Sequence, residues 1–482
     1  MTYVSLEFYL FLAFILILYY IIPLRFRWVT LLTGSIAFYI ILSRDGFWLL
    51  LTTVLLSYGT GLLIGFLRKK NAKSHRRLQR SILLLSLLLV ILPWFLIKNG
   101  NFLLNNSVFQ HIVPLGISFY TLQIISYLAD VYNGKITVQK NPAKYALFIL
   151  FFPQIIQGPI PRYAQLAEQL YTGHPFDEEK FVRGAQLILW GFFIKFMIAE
   201  RAAIVVNTIF DNPSKYLGCY VLIAGILYSI ELYADFLSCV TISQGIAKLF
   251  GISLTDNFMR PYFSTSIKEF WRRWHISLSE WLRDYIYIPL GGSQKGKLMK
   301  YMNLTITFAF SGIWHGSGYK FLFWGMIYVA YQIVGDLTAP VKNRLYQSFR
   351  LSAESGTRKM IQRTGVFFWL SLAQIIFRAE SLRIGLQMIK NLFHIQNLWI
   401  LFDGSLLRLG LSWKEWCILI LSIMILLCAD HMQEKGFCIR KIISKRAVYT
   451  RWLLYIAAIL CIMIFGVYGF GYQTQDFIYG GF

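Results

Sequence analysis

Two histidines are the residues of this 482-residue chain best suited to proton transfer, and both lie in apolar surroundings. His315 follows Trp314 inside residues 303–325, NLTITFAFSGIWHGSGYKFLFWG, a run punctuated by Gly312, Gly316 and Gly318. An ionisable group in such a run is costly at membrane depth and marks a cavity or a partner, while the glycines permit a broken helix or close approach of a substrate. Imidazole, with an unperturbed pKa of about 6.5, takes a proton from a hydroxyl and returns one to a leaving group, and burial favours its neutral, basic form. The chemistry this suits is acylation of a hydroxyl by a thioester. That reaction needs a base, an aligned hydroxyl and a donor to the developing oxyanion, for which Trp314 and Asn303 are candidates; no metal and no tightly bound cofactor is expected.

His275 sits in residues 266–287, SIKEFWRRWHISLSEWLRDYIY. Ser266 and Glu269 form a capping-box pattern, and Pro289, Gly291 and Gly292 stop the segment, so one helix is predicted. Its apolar stripe holds Trp271, Trp274, His275, Leu278, Trp281 and Tyr285, with Lys268, Arg272 and Arg273 on other faces. The bland reading is an interfacial anchor with a structural histidine, and nearness to His315 would favour a role in orienting substrate. Glu231 and Asp235, one helical turn apart, face a common cavity or pair with a basic side chain. Gln123, Asp130, Gln154 and Gln157 read as structural hydrogen-bonding groups. The six cysteines have no metal-ligand spacing; an acyl thioester on Cys239 is the outlying alternative to an inert core.

The elements that must position these residues are membrane helices. The chain is 57% hydrophobic and 15% charged, too apolar for a water-soluble protein of this length. Stretches such as 6–22, 46–67, 81–97, 216–236 and 452–470 reach the length that crosses a bilayer, and roughly ten to twelve membrane segments are expected. The net charge of +24 is concentrated in short loops at 68–80, 342–363 and 435–451, which reads as positive-inside bias and not as nucleic-acid binding. Those loops are expected in the cytoplasm and both termini outside. A secondary reading lets the loops attract anionic lipid or an acidic carrier protein. Residues 1–99 form a scaffold poor in ionisable groups, 113–330 a catalytic core with prolines, glycines and tryptophans inside its apolar runs, and 365–482 the closing helices.

Five stretches together resemble the membrane-bound O-acyltransferase (MBOAT) family, in particular its bacterial branch of alginate and peptidoglycan O-acetylation proteins. They are VPLGISFYTLQIISYLADVYNGKI from residue 113, FFPQIIQGPIPRY from 151, NFMRPYFSTSIKEFWRRWHISLSEWLRDYIYIPLGG from 257, SGIWHGSGYKFLFWG from 311 and FRAESL from 377. The resemblance implies an all-α polytopic fold with interfacial and re-entrant helices around a central tunnel. It implies that His315 matches the catalytic histidine and His275 the second histidine; apart from the resemblance, Trp314, Asn303, Trp274, Asp235 and Glu231 are further candidates for substrate or tunnel residues. It further implies a cytoplasmic thioester donor, acetyl coenzyme A or an acyl carrier protein, a polysaccharide acceptor and an extracytoplasmic partner acyltransferase or acceptor protein. The alternatives are D-alanyl transfer to teichoic acid, and a transporter or flippase for a lipid-linked sugar with the histidines as proton relay. After Asp235 the chain departs from the branch pattern, with Thr241 where an Asp is usual.

Overall fold

In a computed structural model the chain is described over residues 2–69, 73–104, 114–393 and 397–469, and these form helices and loops with no strand. Four helices come first: α1 (Leu6–Ile21), α2 (Arg27–Leu42), α3 (Arg44–Lys69) and α4 (Lys73–Leu104). Next come α5 (Ile117–Asn133), α6 (Pro142–Leu150) and α7 (Tyr163–Tyr171), with an irregular stretch at 151–162. Then α8 (Glu178–Phe193) runs through a π-helical turn, Ile194–Ala199, into α9 (Glu200–Phe210), and α10 (Cys219–Leu249) packs along that run. The histidine region holds α11 (Ile267–Arg273), α12 (Ile276–Leu282) and α13 (Gly296–His315), which doubles back on α14 (Tyr319–Ser348). The chain closes with α15 (Gly356–Arg378), α16 (Leu382–Leu392), α17 (Trp413–Glu434), α18 (Ile439–Ser444) and α19 (Val448–Phe465).

Large apolar side chains cover exposed helix faces as well as the core, and polar groups are buried between helices, the distribution expected when lipid is the solvent. On α4, Leu84, Leu85, Leu88 and Leu92 point outward, while buried Ser86 donates to Thr60 of α3 at 2.9 Å. Among the described residues eight helices are long and apolar enough to cross a membrane, and α1, at 16 residues, is shorter. The count is below the ten to twelve segments expected because helices such as α13, with Lys297, Lys300 and Asn303, are too polar to qualify. Burial ranks their places: 72% of the apolar window of α10 is enclosed, against 6% for α19, so α10 is the axis and α19 the rim. The 260–273 segment joins α15 to α17, since Arg363 donates to Phe263 O at 3.0 Å and Glu434, at the end of α17, binds both Arg260 and Arg273. The terminal residues expected outside, 1 and 470–482, and residues 70–72 of the first basic loop lie outside the described residues.

Candidate active site

The segment 266–287 is not one helix. Ser266 caps it as predicted, accepting from Glu269 N–H, but the Glu269 carboxylate reaches back to Thr265, taking its N–H and its hydroxyl at 2.8 Å each. Although burial opposes charge on Glu269, those two bonds and the Arg273 guanidinium hold its carboxyl below the usual range. The helix then breaks at Trp274, and His275 adopts φ +44°, a left-handed conformation that few non-glycine residues take. The break is stabilised by the strand-like passage of residues 257–259 alongside: Met259 N–H donates to Arg273 O and Ile276 N–H to Asn257 O, both at 2.9 Å. Backbone strain held by its surroundings is a frequent mark of a working site. Here His275 is 1% exposed, buried with Trp274, Leu278 and Trp281 of the same stripe.

Asn257 fixes the ring. Its Oδ1 accepts from Ser277 N–H at 3.1 Å and Ser277 Oγ–H at 2.9 Å, which identifies that atom as oxygen, and His275 Nδ1 lies 3.3 Å away. Nδ1 therefore carries the proton in the neutral ring, and Nε2, with no hydrogen-bond partner among the described residues, presents its lone pair. Ser277 Oγ in turn accepts from Ile160 N–H at 3.0 Å, tying the irregular stretch 151–162 to this motif.

His315 is the last residue of α13 and 2% exposed. Its ring lies 4.9 Å from Trp314, 4.9 Å from Trp324 and 5.6 Å from Phe377, each nearly perpendicular. The Trp314 ring also lies 5.9 Å from His275, so both imidazoles neighbour one indole, and Phe236 packs on His275 at 4.8 Å. Both imidazoles are thus enclosed by packed aromatic side chains. A small pocket lined by Phe119, Tyr120, Gln123, Gln154 and Ile160 adjoins the site, because Phe119 packs on Trp314 at 5.5 Å.

The family model described as "MBOAT, membrane-bound O-acyltransferase family" matches residues 36–395. The chain belongs to this family. It is 32% identical over 407 residues, 82% of this chain and 78% of the relative, to a probable alginate O-acetylase of Azotobacter vinelandii. It is 32% identical over 308 residues to a peptidoglycan O-acetyltransferase of Helicobacter pylori, covering 58% of this chain and 57% of that one. It is also 31% identical over 253 residues to a teichoic acid D-alanyltransferase of Bacillus subtilis, 49% of this chain and 63% of that one. The chain is thus an O-acyltransferase of the MBOAT family, built on membrane helices.

The remaining predicted residues of this acyltransferase fall in different places. Trp274 is buried in an aromatic cluster with Phe258, Phe270 and Tyr233 and sets the break before His275. The Trp314 indole N–H is committed to Ser118 O at 3.2 Å. Asn303 lies twelve residues before His315 on one helix, about 18 Å along its axis, and its amide donates to Gly292 O at 2.8 Å. It braces the turn below α13 and is not brought to the histidines. Asp235 pairs with Lys195 at 2.7 Å, and Lys195 also binds Glu200 at 2.7 Å, a buried triad at the π-helical turn. Asp235 thereby fixes the α10 turn that carries Phe236. Glu231 is buried one turn away, with no hydrogen-bond partner for its Oε2 among the described residues. Gln123 and Asp130 have the structural bonds expected, Gln123 donating to Phe148 O at 2.7 Å and Asp130 accepting from Tyr285 at 2.8 Å. α10 runs unbroken past Thr241, and Cys239 is buried and free. Sequence reasoning missed Asn257, Lys195 and Trp324; the Trp324 indole N–H is buried, unmatched among the described residues and adjacent to His315.

Proposed function

We propose that this acyltransferase transfers an acyl group, acetyl in the leading reading, from a thioester presented at the basic-loop side of the membrane to a hydroxyl of an extracytoplasmic polysaccharide. The observation that carries the reading is the pair of buried imidazoles flanking Trp314, one of them oriented with a free Nε2 lone pair. In the step envisaged, His315 accepts the hydroxyl proton as the oxygen attacks the thioester carbonyl. The C–S bond then breaks and the thiolate takes the proton back, so an ester and a thiol form with no net proton released. With the Trp314 N–H engaged, the Trp324 N–H, without a hydrogen-bond partner among the described residues on a ring 4.9 Å from His315, is the oxyanion donor in this reading. His275 holds acceptor or donor through Nε2. Since both rings are enclosed, turnover requires the aromatic packing around them to open.

Acetyl coenzyme A or an acyl carrier protein is the donor in this reading, and an extracytoplasmic partner protein completes or receives the transfer. The alginate- and peptidoglycan-acetylating relatives favour a polysaccharide acceptor. They match 82% and 58% of this chain against 49% for the D-alanyl-transferring relative, which keeps alanylation of teichoic acid as the second reading. The test follows labelled acyl groups into secreted and cell-wall polymers in cells carrying wild type or His315→Ala. Loss of about 10²- to 10⁴-fold in polymer-bound acyl with normal polymer export is expected. Failed export with unchanged acyl content per polymer would replace the enzyme reading with a transporter.

A further inference from the structure

Lys98 lies on α4, just inside the end of the apolar span His75–Gly100, a place where a lysine is costly without partners. Its side-chain nitrogen donates to the carbonyl oxygen of Trp314, lies 3.4 Å from Ser118 Oγ and stands 5.6 Å from the centre of the Trp314 ring. That carbonyl belongs to the peptide bond that joins Trp314 to His315. It is also one of the last carbonyls of α13, which have no intrahelical N–H to accept from. Beyond it the chain leaves the helix at once: Gly316 is extended and Gly318 has φ +90°.

Ser118 makes the fastening two-handed. Its Oγ accepts from Trp94 of α4 at 3.1 Å, and its carbonyl accepts the Trp314 indole N–H at 3.2 Å. The Trp314 ring is thus held by α5 and its carbonyl by α4, while the ring touches both imidazoles.

We infer that Lys98 is a positioning residue for His315, fastening the Trp314–His315 peptide to the N-terminal helices so that the imidazole meets its reactants in register. The inference rests on His315 being the proton acceptor. It is tested in cells producing the full chain by measuring base-labile acyl groups on envelope polymer per molecule of enzyme, for wild type, Lys98→Met, Lys98→Arg and His315→Ala, with thermal melting of each purified protein in detergent. Lys98→Met is expected to melt near wild type and lose about 100-fold in activity, the scale of a small misplacement at a reacting centre. Lys98→Arg, which keeps the donor, is expected to stay within about tenfold of wild type.

An active Lys98→Met beside an inactive His315→Ala overturns this inference alone, whereas an active His315→Ala overturns the functional reading beneath it. Equal loss in Lys98→Met and Lys98→Arg at normal melting also overturns it, since donation to the carbonyl would then not be what matters. Should Lys98→Met fail to accumulate, Lys98→Arg decides: retained activity supports the fastening, and loss in a normally melting protein removes it.

Discussion

An imidazole that holds a reactant through one ring nitrogen has to be aimed, and at His275 the aiming falls to Asn257 and a left-handed backbone. Asn257→Ala would strand the Ser277 N–H, the Ser277 hydroxyl and His275 Nδ1–H at once. A loss of about 1–3 kcal/mol in stability is expected, seen as a lower melting temperature in detergent, with an activity loss exceeding that of a surface control. The two histidines were legible because an ionisable residue in an apolar run is conspicuous. Asn257, Lys195 and Trp324 were not, since an amide, a lysine or an indole acquires meaning only from partners: the Lys195 nitrogen meets a carboxylate forty residues on. Asn303 misled for the converse reason, being close in motif but one long helix-length from the ring.

At the scale of elements, the decisive packing is α13 against α14. A Cβ on Gly312 would stand 2.4 Å from Phe321 O, and one on Gly325 2.4 Å from Phe308 O, so each glycine lets the other helix's backbone approach. Gly312→Ala is therefore expected to cost about 1–3 kcal/mol through overpacking, with a lowered melting temperature, and to displace His315 three residues on, which polymer acylation would register. The glycines had suggested a broken helix or room for a substrate, and at Gly312 the room is taken by a helix. The 266–287 stripe kept its three- and four-residue spacing across the break, so periodicity had no means of showing it. The passage at 257–259 supplies the competing hydrogen bonds, and only tertiary structure brings it there.

For the whole molecule, hydropathy conveyed the all-helical membrane architecture, since long apolar stretches need no partner to be recognised, while the number of crossings depended on polar helices such as α13. The orientation inferred from the basic loops is open to a direct check. In a chain with its own cysteines replaced, Ser355→Cys, between α14 and α15, is expected to react with an impermeant maleimide only after the cytoplasmic face is exposed, and labelling of intact cells would reverse the assignment. The Lys195 triad bears on how such a body is made. Glu200 lies on the same run of chain as Lys195, but Asp235 belongs to α10, made later by the ribosome. A lysine entering lipid costs about 2.5–3.5 kcal/mol at mid-depth. The 178–210 run therefore has reason to linger beside the insertion machinery until α10 arrives, and the two would enter the bilayer as a unit.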